Sequence, residues 1–244
     1  MEIMKKTMDF FVQTKDVDFN DTIHPTAILD MFQDLAGLHA AELGVGFEEL
    51  RKKNYAWVVL YQRFEIECLP PYLDYVTLET WPKPKHRLEF EREYHLKNKQ
   101  GGSLIKGISN WVIIDLNTRG LVRSDKITFN GEFHTVTNFP EKCKRKLNLN
   151  PNGTMEYFHY EVKSCDLDHN GHMNNARYLN IIFNYLMSYG DKKYIKTAEI
   201  AYIKEATFKD IIQIGHYTID KQEAFLGFVN DELCFECLIG EDTL

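Results

Sequence analysis

From Cys165 to Asn175 the chain reads Cys165, Asp166, Leu167, Asp168, His169, Asn170, Gly171, His172, Met173, Asn174, Asn175. Two carboxylates, two imidazoles and three side-chain amides share one short stretch. A carboxylate or imidazole can take a proton from water, and an amide N–H can stabilise a developing oxyanion, so these residue types suit acid–base attack on a carbonyl group. The apolar period of a helix begins near Ala176, which places the polar groups at a helix N-terminus, where free N–H groups and the macrodipole favour negative charge. Asp and Asn are also preferred N-caps, but capping explains only one or two of them.

Asp166, Asp168, Asn170 and Gly171 match the opening of an EF-hand loop. The twelfth position, which should bring a bidentate Glu, is Arg177, so calcium is excluded. His169, His172 and Asp168 are metal-ligand types, yet the i, i+4 His spacing of a helical zinc site is missing, and no metal is expected. Cys234 and Cys237 have the spacing of a redox motif but fall in a strand-like run, where residues three apart face opposite ways; core packing is the expectation. No Gly-rich phosphate loop, G-x-S-x-G elbow or paired Cys-x-x-C set is present, so no nucleotide cofactor is indicated.

The elements that must position these groups come in two copies. Thr7, Met8, Asp9, Phe10, Phe11 returns as Thr154, Met155, Glu156, Tyr157, Phe158, each suited to a strand. Ile28, Met31, Phe32, Leu35, Ala36 and His39 then trace the stripe of an amphipathic helix with Gly44 as its stop. Leu179, Ile182, Phe183 and Leu186 repeat that spacing, with Gly190 as the stop. Leu88, Phe90, Arg92, Tyr94 and Leu96 alternate with Glu89, Glu91, Glu93, His95 and Lys97, which predicts a strand with one covered face, Arg92 its single polar inward entry. Turn residues at Asn98–Gly102, Asn117–Gly120 and Asn230–Asp231 predict antiparallel hairpins rather than a parallel series. Asp74–Leu78 recurs as Asp210–Ile214. The class is therefore α+β: residues 1–139 form one unit, 152–244 a second, and the charged, Asn-rich stretch 140–151 links them. A sheet curled on a helix buries the helix stripe, and joining two such sheets would remove exposed edges.

Composition narrows the setting. With 44% hydrophobic and 13% aromatic residues in 244, the chain can bury a sizeable core, which excludes disorder. A net charge of -7 opposes sequence-independent binding to nucleic acid or anionic lipid. No apolar run approaches the roughly 20 residues of a membrane span. Lys5 and Lys6 lead into Thr7, Met8, Asp9 rather than a signal-peptide core, and five scattered cysteines do not make a disulfide framework, so a cytoplasmic setting with reduced thiols is expected.

Asp168-x-Asn170-x-His172 followed by Asn174-Asn175-x-x-Tyr178 resembles the signature of acyl-acyl carrier protein (acyl-ACP) thioesterases, enzymes of the hot-dog fold. The resemblance covers nearly the whole chain, including Gln33, Ala36, His39 and Gly44 and the run Tyr202, Lys204, Glu205, Asp210. It implies tandem hot-dog units, hydrolysis of a fatty acyl thioester on acyl carrier protein by water without a cofactor, and Asp168, Asn170, His172 and Glu205 in the catalytic positions. Plant members carry a Cys after the Glu; here it is Ala206, which excludes a covalent route there. In such a reaction Glu205 or Asp168 would activate water, Asn170 with helix N–H groups would polarise the carbonyl, and His172 would orient or shuttle the proton. Without the motif, Glu205 reads as a surface strand residue paired with Lys204 or Lys209.

Aligning Lys15 with Lys163 puts Asn20, Thr22 and His24 opposite Asp168, Asn170 and His172; aligning Asp74 with Asp210 puts Leu69 opposite Glu205. On that alignment the first unit has no acid at either base position, and the resemblance gives it the role of housing the acyl chain. Trp57, Val59 and Tyr61 could line that pocket but fit a plain core equally. Acyl carrier proteins are acidic, so Lys142, Lys144, Arg145 and Lys146 form a candidate docking patch, with Lys83, Lys85, His86 and Arg87 a second basic cluster. The competing readings are an acyl-coenzyme A thioesterase, a noncatalytic acyl-binding protein and a hot-dog dehydratase; a monomer and a homodimer both suit the fold.

Overall fold

A computed structural model describes residues 3–151, 153–188 and 194–242. The chain separates into two compact units, one of Met1–Leu60 and Phe64–Cys143, the other of Tyr61–Arg63 and Lys144–Leu244.

The first unit contains β1 (Lys6–Phe11), helices α1 (Pro25–Glu42) and α2 (Phe47–Arg51), then β2 (Tyr55–Ile66), β3 (Tyr75–Pro82), β4 (Phe90–Asn98) and β5 (Ser103–Asp115). Its strands lie in the order β1-β3-β4-β5-β2, and the β1–β3, β3–β4 and β4–β5 ladders are antiparallel. The expected stripe of α1 is buried, Ile28 and Leu35 fully. Each such aliphatic side chain contributes about 1.5–3 kcal/mol of burial. Gly44 stops the helix in the left-handed conformation, φ 76°, as its spacing predicted. Phe32 of α1 stacks on Tyr94 of β4 with ring centroids 4.4 Å apart. The residue opposite Tyr94 in the ladder is Gly107, where a Cβ would stand 2.4 Å from the Phe32 ring. Only a glycine leaves room for the helix there. Arg92 faces the helix too, donating to His39 Nδ1 at 3.0 Å and Thr80 Oγ1 at 3.2 Å.

The second unit contains β6 (Glu156–Glu161), α3 (Asn175–Ser188), β7 (Tyr194–Tyr202), β8 (Ile211–Ile219), β9 (Gln222–Val229) and β10 (Glu232–Asp242), with strand order β7-β10-β9-β8-β6. Gly190, expected to stop α3, lies outside the described residues. The hairpin at Asn230–Asp231 has positive φ at both residues (51° and 63°), the conformation that lets a two-residue turn match strand twist. Helix α3 again runs across its sheet: Tyr185 stacks on Phe158 of β6 and meets Phe225 of β9 edge-on, and Tyr178 meets Tyr202 of β7 and Phe235 of β10. Each unit is thus an antiparallel sheet wrapped around one long helix.

The glutamate face of β4 departs from the expectation of one solvated side. Glu89, Glu91 and Glu93 are buried, at 3%, 1% and 0% exposure. For Glu91 and Glu93 the cause is the irregular segment at 137–143, which overlaps the stretch read as a linker only at its start. Glu93 accepts from the Thr137 hydroxyl and from the backbone N–H groups of Asn138 (2.6 Å) and Phe139 (3.4 Å), and Glu91 from Cys143 N–H (2.9 Å). Lys83 pairs with Glu91 at 3.0 Å and donates to the Phe139 carbonyl at 2.7 Å. In the second unit Glu236 repeats the arrangement, accepting from Leu147, Asn148 and Leu149 N–H at 2.7, 3.3 and 3.0 Å. Backbone donors with no strand partner are met by carboxylates aimed outward from the sheets, which satisfies both. Among the described residues no helix is long and apolar enough to cross a membrane.

Candidate active site

The polar motif folds as a 3-10 turn (Ser164–Asp166) and a tight turn before α3. Asp166 is buried and structural: its carboxylate accepts from Tyr160 Oη at 2.8 Å and Lys163 N–H at 2.7 Å. Asp168 Oδ1 accepts from Asn170 N–H at 2.8 Å and His172 N–H at 3.2 Å, while Asp168 N–H donates to the His172 carbonyl at 2.8 Å. Gly171, φ 80°, supplies the left-handed residue that closes the turn. Asn170 Nδ2 donates to Asp168 Oδ2 at 3.4 Å, and the residue is exposed. Asn174 caps α3 with Oδ1 on Ala176 N–H at 3.0 Å and its carbonyl on Arg177 N–H at 2.9 Å. These two first-turn donors, expected to help polarise a substrate carbonyl, are therefore already engaged.

Glu205 is not on a strand. It lies in the loop between β7 and β8, and its neighbour Lys204 pairs with Glu232 instead. Glu205 Oε2 stands 3.4 Å from His172 Nε2, both side chains being partly exposed at 43% and 35%. One backbone bridge brings them together: His172 pairs with Thr207, and Met173 N–H donates to the Ala206 carbonyl at 2.8 Å. The Ala206 peptide is held from the other side as well, its N–H donating to Tyr178 Oη at 3.2 Å. Burial pushes the Tyr178 hydroxyl well above its usual range, so it stays protonated. Asp210 caps the loop by accepting from Thr207 N–H at 2.7 Å. Three of the four residues named from the motif, Asp168, Asn170 and His172, sit in one turn, and the fourth, Glu205, is brought to His172. Tyr178 and Asp210, quoted in the motif without a role, turn out to hold the Glu205 loop.

Cys234 and Cys237 are both fully buried, as packing predicted. The Cys234 thiol donates to the Lys204 carbonyl at 2.9 Å, and burial pushes it up to about 11, leaving no thiolate near neutral pH. Among the described residues no group of three or more His, Cys, Asp and Glu is placed to hold a metal ion.

The repeat aligns differently from the Lys15–Lys163 match. The 3-10 turns Thr14–Asp16 and Ser164–Asp166 correspond, and so do the starts of α1 and α3. Asp18 then falls opposite Asp168, Asn20 opposite Asn170 and Thr22 opposite His172. The bonds agree: Asn20 N–H and Thr22 N–H donate to Asp18 Oδ1 at 2.8 and 3.2 Å. Thr22 bridges Pro71 as His172 bridges Thr207, which keeps Leu69 opposite Glu205. The first unit does carry an acid at one of the two positions; what it lacks is the imidazole and the glutamate.

The basic stretch is only partly available. Lys142 pairs with Glu89 at 3.7 Å and Lys144 with Glu199 at 3.0 Å, although both side chains are more than half exposed.

Comparison with known proteins bears on the fold and the family. The solved acyl-ACP thioesterase from Bacteroides thetaiotaomicron superposes with a TM-score of 0.78 at 22% identity, covering 98% of each chain. The 12:0-ACP thioesterase from Umbellularia californica gives 0.81 at 20% identity, covering 98% of this chain and 97% of its own. These establish the tandem hot-dog fold. Oleoyl-acyl carrier protein thioesterase of Coriandrum sativum is 27% identical over 187 residues, 70% of this chain and 50% of that protein. The chain spans about half the length of the curated relatives it matches. The family model for the acyl-ACP thioesterase N-terminal domain matches residues 4–128, and that for the C-terminal domain residues 150–232. With more than half of its length matched by the first of these alone, the chain belongs to the acyl-ACP thioesterase family.

Proposed function

We propose that the protein hydrolyses fatty acyl-ACP thioesters to free fatty acid and carrier thiol, so ending acyl-chain growth on the carrier. The observation that carries this reading is the His172–Glu205 pair, held at 3.4 Å beside the Asp168–Asn170 turn. Water adds to the thioester carbonyl carbon as a carboxylate, Glu205 or Asp168, takes one of its protons. The Asn170 amide N–H serves the carbonyl oxygen as it becomes an oxyanion. When the C–S bond breaks, His172 passes a proton to the departing sulfur. Acid–base assistance of this kind contributes about 10²–10⁴-fold, and an oxyanion donor about 10²–10³-fold. The first unit, with Thr22 and Leu69 in place of His172 and Glu205, is assigned the acyl chain. Lys142, Lys144, Arg145 and Lys146 are assigned the acidic carrier.

Thiol release from ACP and coenzyme A thioesters of graded chain length, by wild type, His172→Ala and Glu205→Ala, tests the reading. Turnover of carrier thioesters that falls at least about 10²-fold in the variants is expected. Turnover of coenzyme A esters alone would replace the carrier assignment, and no turnover of any thioester would leave an acyl-binding protein. Reversing the charges at Lys142, Lys144, Arg145 and Lys146 should raise KM for ACP substrates and leave coenzyme A esters unaffected.

A further inference from the structure

The two units provide an internal control on the roles of the motif residues. The turn before each long helix is built from the same bonds. Asp18 N–H donates to the Thr22 carbonyl at 2.9 Å and Asp168 N–H to the His172 carbonyl at 2.8 Å. Asp18 Oδ1 accepts at 2.8 and 3.2 Å, and so does Asp168 Oδ1. Asn20 and Asn170 each turn their amide back on the second carboxylate oxygen, at 3.3 and 3.4 Å. The residue in the left-handed conformation follows in both, Asp21 and Gly171. Even the segment that flanks the turn agrees, since Ile23 N–H donates to the Pro70 carbonyl and Met173 N–H to the Ala206 carbonyl.

A carboxylate that makes the same bonds in a unit with Thr22 and Leu69 at the other two positions has a sufficient explanation in the turn itself. Short polar side chains bond their own backbone two to four residues on and thereby fix such turns. What distinguishes the second unit is the pair that the turn presents. His172 is the residue whose N–H and carbonyl are both tied to Asp168, and its ring then meets Glu205.

We infer that Asp168 is a positioning residue, which sets His172 against Glu205, and that Glu205 is the group that takes the proton from water. This rests on the thioesterase reading above and decides the question it leaves open. In the step, the water oxygen bonds the carbonyl carbon and its proton passes to the Glu205 carboxylate. The tetrahedral oxyanion then re-forms the carbonyl as the C–S bond breaks, and the sulfur takes up a proton through His172, which Glu205 re-protonates. Water is consumed, acid and thiol are released, and both side chains return to their starting states.

Asn keeps the acceptor oxygen of an Asp turn but cannot act as a base. Asp168→Asn should therefore retain turnover of acyl-ACP to within about tenfold, the loss expected when a charged acceptor becomes neutral. Asp168→Ala, which loses the acceptor, should fall further, and Glu205→Gln should fall about 10²–10⁴-fold. The acid limb of the kcat/KM pH profile should persist in Asp168→Asn and vanish in Glu205→Gln. A second measurement needs no substrate: Asp18→Ala and Asp168→Ala should lower Tm by similar amounts, about 2–4 °C each if a turn bond is lost. Asp168→Asn falling as far as Glu205→Gln, or losing the acid limb while Glu205→Gln keeps it, would make Asp168 the base and overturn the inference. So would an Asp168→Ala protein as stable as wild type alongside a destabilised Asp18→Ala. If wild type turns over no thioester, the thioesterase reading fails and the proton assignment with it, while the Tm pair still decides whether Asp168 builds the turn.

Discussion

His172 Nε2 and Glu205 Oε2 face one another at 3.4 Å although they come from segments on either side of α3 and β7. Both side chains are partly exposed. The distance is set by backbone, through the His172–Thr207 bridge and the Met173–Ala206 hydrogen bond, so the pair is presented to solvent by a rigid support.

Residues that act as one unit are not additive. A cycle of His172→Ala, Glu205→Ala and the double variant should show the double variant losing little more kcat than the worse single one, whereas independent roles would multiply the losses. Full multiplication, measured on acyl-ACP, would separate the two residues mechanistically.

Tyr178 acts on the site through Ala206. Tyr178→Phe removes the acceptor for the Ala206 N–H and should cost roughly 0.5–1.5 kcal/mol of stability. Because the loop that carries Glu205 is loosened, kcat should fall about tenfold with KM much less affected. A fall in KM alone, or no kinetic change with the same loss of stability, would confine Tyr178 to packing.

The carboxylate of Glu236 holds three backbone N–H groups of segment 147–149. Glu236→Ala leaves those donors without their acceptor and should cost about 2–4 kcal/mol in urea denaturation. Trypsin cleavage after Lys144, Arg145 and Lys146 should accelerate in the folded variant. Unchanged cleavage would mean that the segment is held by something other than this carboxylate.

His39 is held near pKa 4, first by burial and then by the Arg92 guanidinium at 3.0 Å. Its folded pKa lies below the usual 6.5, so the unfolded chain binds the extra proton between those values. Stability is accordingly complete above about pH 6.5 and declines as pH falls toward 4, by roughly 3 kcal/mol for this one group. In His39→Gln that part of the decline should disappear, so the stability gap between wild type and variant should narrow from pH 7 to pH 4. A gap independent of pH would show that His39 is not kept neutral by the fold.

Gly107→Ala places a methyl 2.4 Å from the Phe32 ring, inside contact distance of a side chain already stacked on Tyr94. Overpacking should destabilise the first unit by about 1–3 kcal/mol, read by thermal or urea unfolding. The companion change Phe32→Leu should recover part of that loss.

The elements were legible in the sequence wherever the signal is local. The stripe from Ile28 to His39, the stop at Gly44 and the hairpin at Asn230–Asp231 follow from periodicity and backbone freedom, which depend on residues a few positions apart. The motif from Cys165 to Asn175 stood out through residue types alone, as a dense run of carboxylates, imidazoles and amides. Three features required the tertiary structure. The solvated face expected for Glu91 and Glu93 is covered, because an irregular segment distant in sequence needs acceptors for its N–H groups, and no alternation within β4 records that demand. The match of Lys15 to Lys163 followed residue identity, whereas Asp18 and Asp168 correspond by the bonds they accept. Glu205 read on its own as a surface residue beside Lys204. Its meeting with His172 depends on a strand bridge and a peptide clamped by Tyr178, contacts between segments far apart in the chain, and sequence spacing holds no record of those.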